Sequence, residues 1–208
     1  MKAPYSQKEE YVNVLTHGLG IILSIFGGLF LILEGFSKED PLLGVSIVVF
    51  VITMTLLYTA STLYHYVSEP LLKRRLKVLD HACIYLLIAG TYTPYTMGAL
   101  RGAWGWGLFS VIWSLAIAGV VFKLFFTGRF NIIATLLYVA MGWLVVVALA
   151  PMMEALEART LFFLFAGGIS YTVGVLFYLR KSMPYSHGIW HLFVLGGSIL
   201  HAISISTL

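Results

Sequence analysis

The feature of this sequence that most constrains its fold is a series of seven long apolar runs. They lie at about 12–35, 42–66, 79–99, 104–125, 131–150, 160–179 and 187–207. A helix that crosses a lipid bilayer needs roughly 20 predominantly apolar residues, so each run is a candidate membrane span. The composition agrees, because 60% of the residues are hydrophobic and only 11% are charged, which is too apolar for a water-soluble domain. We therefore predict an all-α membrane protein, a seven-transmembrane-helix bundle that forms a single domain over residues 1–208.

The links between the runs are short and mostly polar. They include SKED at 37–40, SEPLLKRRLK at 68–77, FTGRF at 126–130 and PMMEALEAR at 151–159. Short links make consecutive helices antiparallel neighbours. We expect Pro94 to kink or end the third span, and we interpret the glycine pairs at 27–28, 167–168 and 196–197 as positions of close helix packing. The single cysteine, Cys83, excludes an intrachain disulfide, and we expect it to be a small buried residue.

The distribution of Lys and Arg predicts which side of the membrane each link faces. A cytoplasmic N-terminus places ten of the thirteen basic residues on that side: Lys2, Lys8, Lys73, Arg74, Arg75, Lys77, Lys123, Arg129, Arg180 and Lys181. Lys38, Arg101 and Arg159 then face outward. Because cytoplasmic links are enriched in basic residues, we predict a cytoplasmic N-terminus and an external C-terminus. The same bias accounts for the net charge of +4, so we expect no nucleic-acid partner.

Ionisable side chains are rare inside apolar spans, and those present mark candidate functional sites. Ser61 and His65 are four residues apart near the cytoplasmic end of the second run, so they share one helix face. Asp80 begins the third run on the same side of the membrane. His187 and His191, again four residues apart, begin the seventh run. Three helices are thus predicted to present polar groups at one membrane depth.

This set of side chains favours a metal site. Two histidines one turn apart and a third from another helix supply three nitrogens and leave a fourth position open, as in catalytic Zn²⁺ sites. Asp80 is then either a fourth ligand or a general base for water at that position, and Ser61 can hydrogen-bond the water or an oxyanion. His81 points ~100° away from Asp80 on an ideal helix, so we expect it to be a poorer ligand. A proton relay or a purely structural polar network would use the same residue types.

Further polar residues lie inside the first and last runs. Glu10, Asn13 and His17 share one helix face near the predicted site. We interpret Glu10 and Asn13 as a capping and inter-helix hydrogen-bond network, with an outer layer of the same site as the alternative, and both interpretations stay open for His17. His201 lies ten residues after His191, ~15 Å along an ideal helix and too far to share an ion. We expect it to be a hydrogen-bonded interior group or a cavity-lining one.

Taken in order, these motifs resemble those of a known family. They are E-x-x-N-x-x-T-H (Glu10, Asn13, Thr16, His17), S-x-x-x-H (Ser61, His65), the aspartate Asp80 in LDHACIYLLIAGTYTP, and H-x-x-x-H (His187, His191). Together they look like the progestin and adipoQ receptor family, and more closely like its bacterial branch, the hemolysin III proteins. The resemblance covers essentially the whole chain.

The resemblance implies a seven-helix protein of the bacterial cytoplasmic membrane with its N-terminus inside. It implies a zinc ion held near the cytoplasmic face by His65, His187 and His191, with Asp80 and Ser61 as the catalytic pair beside the ion's water. Relatives in the wider superfamily, the alkaline ceramidases, hydrolyse lipid amides, and the similar adiponectin receptors are associated with ceramidase activity. The chain has almost no N-terminal domain, so we expect membrane lipids as partners and no soluble hormone.

Three functions are compatible with these features. We favour a zinc-dependent hydrolase that acts on a lipid amide or ester. The alternative is a non-enzymatic, zinc-stabilised regulator of membrane lipid or energy homeostasis, in which Asp80→Asn would spare function. A pore-forming haemolysin has less support, because the sequence contains no segment suited to a transition from soluble to membrane-inserted states.

Overall fold

A computed structural model describes residues 5–208, and every regular element within that range is helical. In chain order the elements are α1 (Gln7–Ser37), α2 (Pro41–Tyr66), α3 (Pro70–Thr93), a π-helix (Pro94–Leu100), α4 (Gly102–Phe126), α5 (Asn131–Gly142), a 3₁₀-helix (Trp143–Ala148), α6 (Leu149–Ala155), α7 (Ala158–Leu179) and α8 (Ser186–Ser206). The prediction of an all-α fold is confirmed. Lys2, one of the basic residues assigned to the cytoplasmic side, lies outside the described residues.

Six segments of the described chain are long and apolar enough to cross a membrane. They are α1, α2, α4, the continuous segment Asn131–Ala155, α7 and α8. Their outer surfaces carry large exposed apolar side chains, among them Phe26, Phe30 and Phe125, as expected where a protein surface faces lipid. The seventh long helix, α3, carries basic residues in its first half and an apolar sequence in its second. The count of seven spans, the single-domain organisation and the orientation of the termini therefore stay predictions.

The expectation of a loop at 68–77 was wrong, because α3 already begins at Pro70. The Glu69 carboxylate accepts hydrogen bonds from the backbone N–H groups of Leu71 (2.9 Å) and Leu72 (2.6 Å). These bonds cap the helix and lower the pKa of Glu69, and Pro70 occupies the first helical position, where its missing N–H costs nothing. The basic residues of this segment therefore lie on a helix surface.

The end of α3 follows the prediction for Pro94. The α-helix ends at Thr93, and the wider π-helix begins at Pro94. A proline ring clashes with the preceding turn and its nitrogen has no hydrogen to donate, so regular α-helical bonding does not continue through this position. Cys83, in the middle of α3, is fully buried as expected.

The segment Asn131–Ala155 changes from α-helix to 3₁₀-helix at Trp143, and a tyrosine of α3 stabilises this change. The hydroxyl of Tyr92 accepts a hydrogen bond from the backbone N–H of Val145 (2.8 Å) and lies 2.9 Å from the carbonyl oxygens of Met141 and Gly142. Backbone groups released inside a membrane need partners within the protein. Beyond this point α6 continues to Ala155, so the predicted link at 151–159 is helical in its first half.

Only one glycine of each predicted pair makes a close helix contact. A Cβ atom on Gly28 would lie 2.4 Å from Cγ1 of Val51, and Cβ atoms on Gly167 and Gly197 would also approach a neighbouring helix closer than 3 Å. Their pair partners are free of such contacts: Gly27 has no atom within 4 Å, Gly168 has one at 4.0 Å and Gly196 has one at 3.4 Å. The interpretation of close packing is therefore correct for Gly28, Gly167 and Gly197.

The helices form a ring around a central cavity. α1 packs between α2 and α8, α2 packs on α3, and α8 packs on α7, while α5 lies between α3 and α7 and completes the ring. α4 packs against α3 and the π-helix. Because α1 contacts both α2 and α8, side chains of the second and last helices can meet although they are distant in sequence.

Gly28→Ala should destabilise the protein, and Gly27→Ala should not. The new methyl group at position 28 would collide with the branched side chain of Val51, which cannot rotate away, whereas position 27 is open. We expect a loss of about 1–3 kcal/mol for Gly28→Ala, measured as a lower unfolding midpoint in detergent. Equal midpoints for the two variants would contradict the packing of α1 on α2.

The predicted orientation can be tested at the two ends of α7. In a Cys83→Ser background, Arg159→Cys and Lys181→Cys each place one thiol at an exposed position. A membrane-impermeant maleimide added to intact cells should label the cysteine at 159, and should label the cysteine at 181 only after permeabilisation. The reverse pattern would contradict the predicted orientation of α7.

Candidate metal centre

Three of the residues predicted from the sequence come together at one end of the ring. His65 extends from the last turn of α2, and His187 and His191 extend from the first two turns of α8. One nitrogen from each imidazole lies within 4.8 Å of the other two. His65 and His191 are almost fully buried, and His187 is partly buried. Within residues 5–208 this is the cluster of three side chains suited to bind a metal ion.

The spacing of the imidazole nitrogens fits a zinc ion. Nε2 of His65 lies 3.2 Å from Nε2 of His187. Two nitrogen ligands at 2.0–2.1 Å from a tetrahedral Zn²⁺ are separated by about 3.3 Å. Three neutral imidazoles are also the ligand set found in catalytic zinc sites that keep a fourth position open. The donor atoms of this chain therefore fit the ion that the sequence predicted.

The first turn of α1 fixes the start of α8, which carries two of the three histidines. Tyr185 precedes α8 in a left-handed conformation (φ +57°), and its N–H donates a hydrogen bond to the Glu9 carboxylate at 3.0 Å. Gly188 allows α8 to lie close to α1, because a Cβ there would be 2.9 Å from Cγ1 of Val12. These contacts hold the two histidine-bearing turns against α1.

Residues of α1 also contact the Nδ1 atoms of two of these histidines, His65 and His191. Nδ1 of His65 lies 2.6 Å from Oε2 of Glu10 and 3.4 Å from Nδ2 of Asn13. Nδ1 of His191 lies 3.0 Å from Oγ1 of Thr16. Glu10 and Asn13 thus form the inter-helix network that we predicted, and their partner in it is a candidate metal ligand. The contact of Thr16 was not foreseen, because no spacing rule relates α1 to α8.

His17 lies beside the cluster without belonging to it. Its ring stacks on that of His191, with centroids 3.5 Å apart and planes 10° from parallel. Neither of its ring nitrogens has a hydrogen-bond partner among the described residues. The contact with His191 makes His17 part of the packing around the site.

Asp80 and Ser61 are buried and line the cavity onto which His187 and His191 also open. Neither belongs to the group of three mutually close donor atoms. The Ser61 hydroxyl has no hydrogen-bond partner within the described part of the chain. Oδ2 of Asp80 lies 3.0 Å from Nδ1 of His81, whose ring faces the same cavity. Asp80 therefore lies on the cavity wall, outside the group of three imidazoles.

The cavity has a volume of about 130 Å³ and mostly apolar walls. It extends from the cluster to His201, which lines its far part and stacks on Tyr171 with ring centroids 5.5 Å apart. His201 is therefore the cavity-lining residue that the sequence suggested. On the other side of the cluster, Tyr5 stacks on His187 with ring centroids 4.9 Å apart. Burial raises the pKa of Tyr5 well above its ordinary value, so its phenol stays neutral.

Comparison with known proteins identifies the family. The family model for haemolysin-III related proteins matches residues 5–202. The chain belongs to the haemolysin III family. It is 47% identical to Hemolysin-3 of Bacillus cereus over 93% of this chain and 88% of that protein. It is 45% identical to the Hemolysin-3 homolog of Bacillus subtilis (strain 168) over 93% of this chain and 91% of that protein.

A more distant relative is human. The monocyte to macrophage differentiation factor of Homo sapiens is 26% identical over 95% of this chain and 83% of the human protein. No solved structure matches the chain. Family membership and the apolar helices together make this haemolysin III protein a multi-pass integral membrane protein.

Removal of two candidate ligands should abolish metal binding. We expect purified wild-type protein to contain about one zinc ion per chain, and the His187→Ala/His191→Ala variant to contain none, because one remaining imidazole cannot hold the ion. Elemental analysis of the purified proteins measures this directly. His201→Ala is the control, since His201 lies outside the cluster, and zinc loss in that variant as well would contradict the assignment.

Proposed function

We propose that this haemolysin III family protein is a zinc-dependent hydrolase of a lipid amide or ester in the bacterial cytoplasmic membrane, with its site near the cytoplasmic face. The observation that carries the proposal is the placement of three imidazoles at zinc-ligand spacing beside a buried carboxylate and a buried hydroxyl on the wall of an apolar cavity. His65, His187 and His191 would hold the ion. Zinc bound there supplies a Lewis acid that polarises a carbonyl group and lowers the pKa of water to about 7.

Asp80 has the position of a general base. Its carboxylate lies on the cavity wall with His187 and His191, where it can accept a proton from a water molecule that attacks a substrate carbonyl. After the attack, the same carboxyl group can pass that proton to the departing amine or alcohol. Nδ1 of His81 lies 3.0 Å from Oδ2 of Asp80, but the two atoms do not have hydrogen-bond geometry.

Ser61 has the position of an oxyanion donor. Its buried hydroxyl makes no hydrogen bond within the described residues, so it is free to donate one to the oxygen that becomes negative during acyl transfer. Ser61 is one turn before His65 on α2, so both side chains point to the same region of the ring.

The apolar walls of the cavity support a substrate with an apolar chain. Its walls are formed mainly by aliphatic and aromatic side chains, such as Leu57, Ile84, Ile88 and Val194. A polar soluble substrate would lose its hydration there without replacement, whereas an acyl chain would not. An acyl group whose carbonyl lies at the cluster and whose chain extends toward His201 fits this arrangement.

Asp80→Asn should abolish hydrolysis and leave zinc binding intact. Loss of the base should lower kcat by about 10²–10⁴-fold, and Ser61→Ala should lower it by about 10²–10³-fold. Fatty acid release from ceramides and other acyl lipids by reconstituted protein measures the activity, and metal analysis of the same samples measures zinc. A wild-type protein that contains zinc and hydrolyses none of these lipids would argue for the regulator instead.

A further inference from the structure

Residues of α1 hydrogen-bond to two of the candidate ligands. These bonds affect which nitrogen of each imidazole can bind a metal. A neutral imidazole has one nitrogen with a hydrogen and one with a free lone pair, and only the second can bind a metal ion. The hydrogen-bond partner of the first nitrogen therefore selects which atom becomes the ligand.

Thr16 selects the tautomer of His191. The Thr16 hydroxyl lies 2.9 Å from the carbonyl oxygen of Val12 and 3.0 Å from that of Asn13, so two backbone acceptors of α1 compete for its single hydrogen. We take the hydrogen to be donated to one of them. Toward Nδ1 of His191, at 3.0 Å, the hydroxyl can then only accept. In this arrangement Nδ1 of His191 carries the hydrogen, which leaves the lone pair on Nε2.

Glu10 selects the tautomer of His65. Its Oε2 atom lies 2.6 Å from Nδ1 of His65, and a carboxylate can only accept in such a contact. Its other oxygen lies 3.0 Å from Nζ of Lys73, which balances the negative charge. Lys73 also donates to the carbonyl oxygens of Tyr64 and Val67 at the end of α2. The same nitrogen lies 3.4 Å from Nδ2 of Asn13, which can only donate, but the contact with the charged carboxylate is shorter, at 2.6 Å, and decides the tautomer. Nδ1 of His65 therefore carries the hydrogen, and its Nε2 atom, 3.2 Å from Nε2 of His187, has the free lone pair.

We propose that Glu10 and Thr16 are positioning residues that preset His65 and His191 to bind zinc through Nε2, with Lys73 holding Glu10 in place. This inference rests on the proposed zinc site. In this proposal α1 supplies no ligand itself, and its side chains orient the ligands that belong to α2 and α8. Outer hydrogen bonds of this kind typically contribute 10–100-fold to metal affinity.

Thr16→Val tests the assignment for His191. Valine keeps the shape of threonine and removes the acceptor, so the zinc affinity, measured by competition with a chelator, should fall about tenfold or more. Thr16→Ser keeps the hydroxyl and should restore wild-type affinity. Thr55→Val is the matched control. Thr55 makes the same backbone bond on α2, to Val51 at 2.8 Å, and its hydroxyl also contacts α1, but at Ser24 (3.1 Å) and not at a histidine of the cluster.

Glu10→Gln tests the assignment for His65. The amide removes the charge that faces both Nδ1 of His65 and Lys73, so zinc affinity should again fall about tenfold or more. Glu34→Gln, at the other end of α1, is the control. A second measurement is independent of the metal: ¹⁵N chemical shifts of histidine-labelled, metal-free protein should show Nδ1-protonated His65 and His191 in the wild type, and mixed tautomers in Glu10→Gln and Thr16→Val.

The outcomes separate this inference from the proposed function. If the wild type binds zinc and both variants bind it equally well with unchanged tautomers, the positioning role is overturned while the zinc site stands. If the wild type binds no zinc, both are overturned. If Thr16→Val loses affinity but its metal-free unfolding midpoint falls well below that of Thr55→Val, the effect is structural and the inference for Thr16 is also overturned.

Discussion

The convergence of His65, His187 and His191 inside an apolar bundle is the interaction on which the rest of the site depends. Polar groups at this depth lose the hydrogen bonds of water and must find partners within the protein or in a bound ion. The ring of helices meets this requirement by placing α1 between α2 and α8, so that the imidazoles face one another on one side and polar groups of α1 on the other. The Nε2 atoms of His65 and His187 lie 3.2 Å apart, close to the separation of two nitrogen ligands on one tetrahedral Zn²⁺.

The two sides of the cluster differ in chemical character: charged and aromatic groups lie on one side, and a mostly apolar cavity lies on the other. One side is closed by Glu10, Lys73 and the ring of Tyr5. The other side opens onto the cavity, where Asp80 and Ser61 lie among apolar side chains. In the proposed function, the reacting group of a substrate would meet the carboxylate and the hydroxyl on the cavity side. Its apolar part would lie in the cavity, which disfavours water-soluble molecules. The similarity to the two Bacillus relatives covers 93% of this chain, and the family model matches residues 5–202, which include the segments that carry these residues.

Two errors of the sequence-based predictions have the same cause. The basic segment before the third span was expected to be a loop because its charges lower the local hydropathy, yet the Glu69 cap and Pro70 are sufficient to begin a helix there. The glycine pairs were treated as equivalent, although adjacent residues of a helix point in directions about 100° apart, so only one of them can face a neighbour. In both cases the prediction used the composition of a segment, which does not show how each single residue is placed on the helix.

The sequence by itself determined the helical class, the approximate ends of the apolar helices and the four-residue spacings that put Ser61 with His65 and His187 with His191, because these depend on hydrophobic length and helical periodicity. It also pointed to the residues that the fold brings together, since an ionisable group in an apolar run is costly unless it has a polar partner or a bound ion. Only the tertiary structure decided which nitrogens face one another, that Glu10 and Thr16 contact histidines of the candidate metal centre, and that Asp80 lines the cavity outside the cluster of three. These facts depend on how each helix is rotated and how close it lies to its neighbours, and periodicity along one helix carries no information about either.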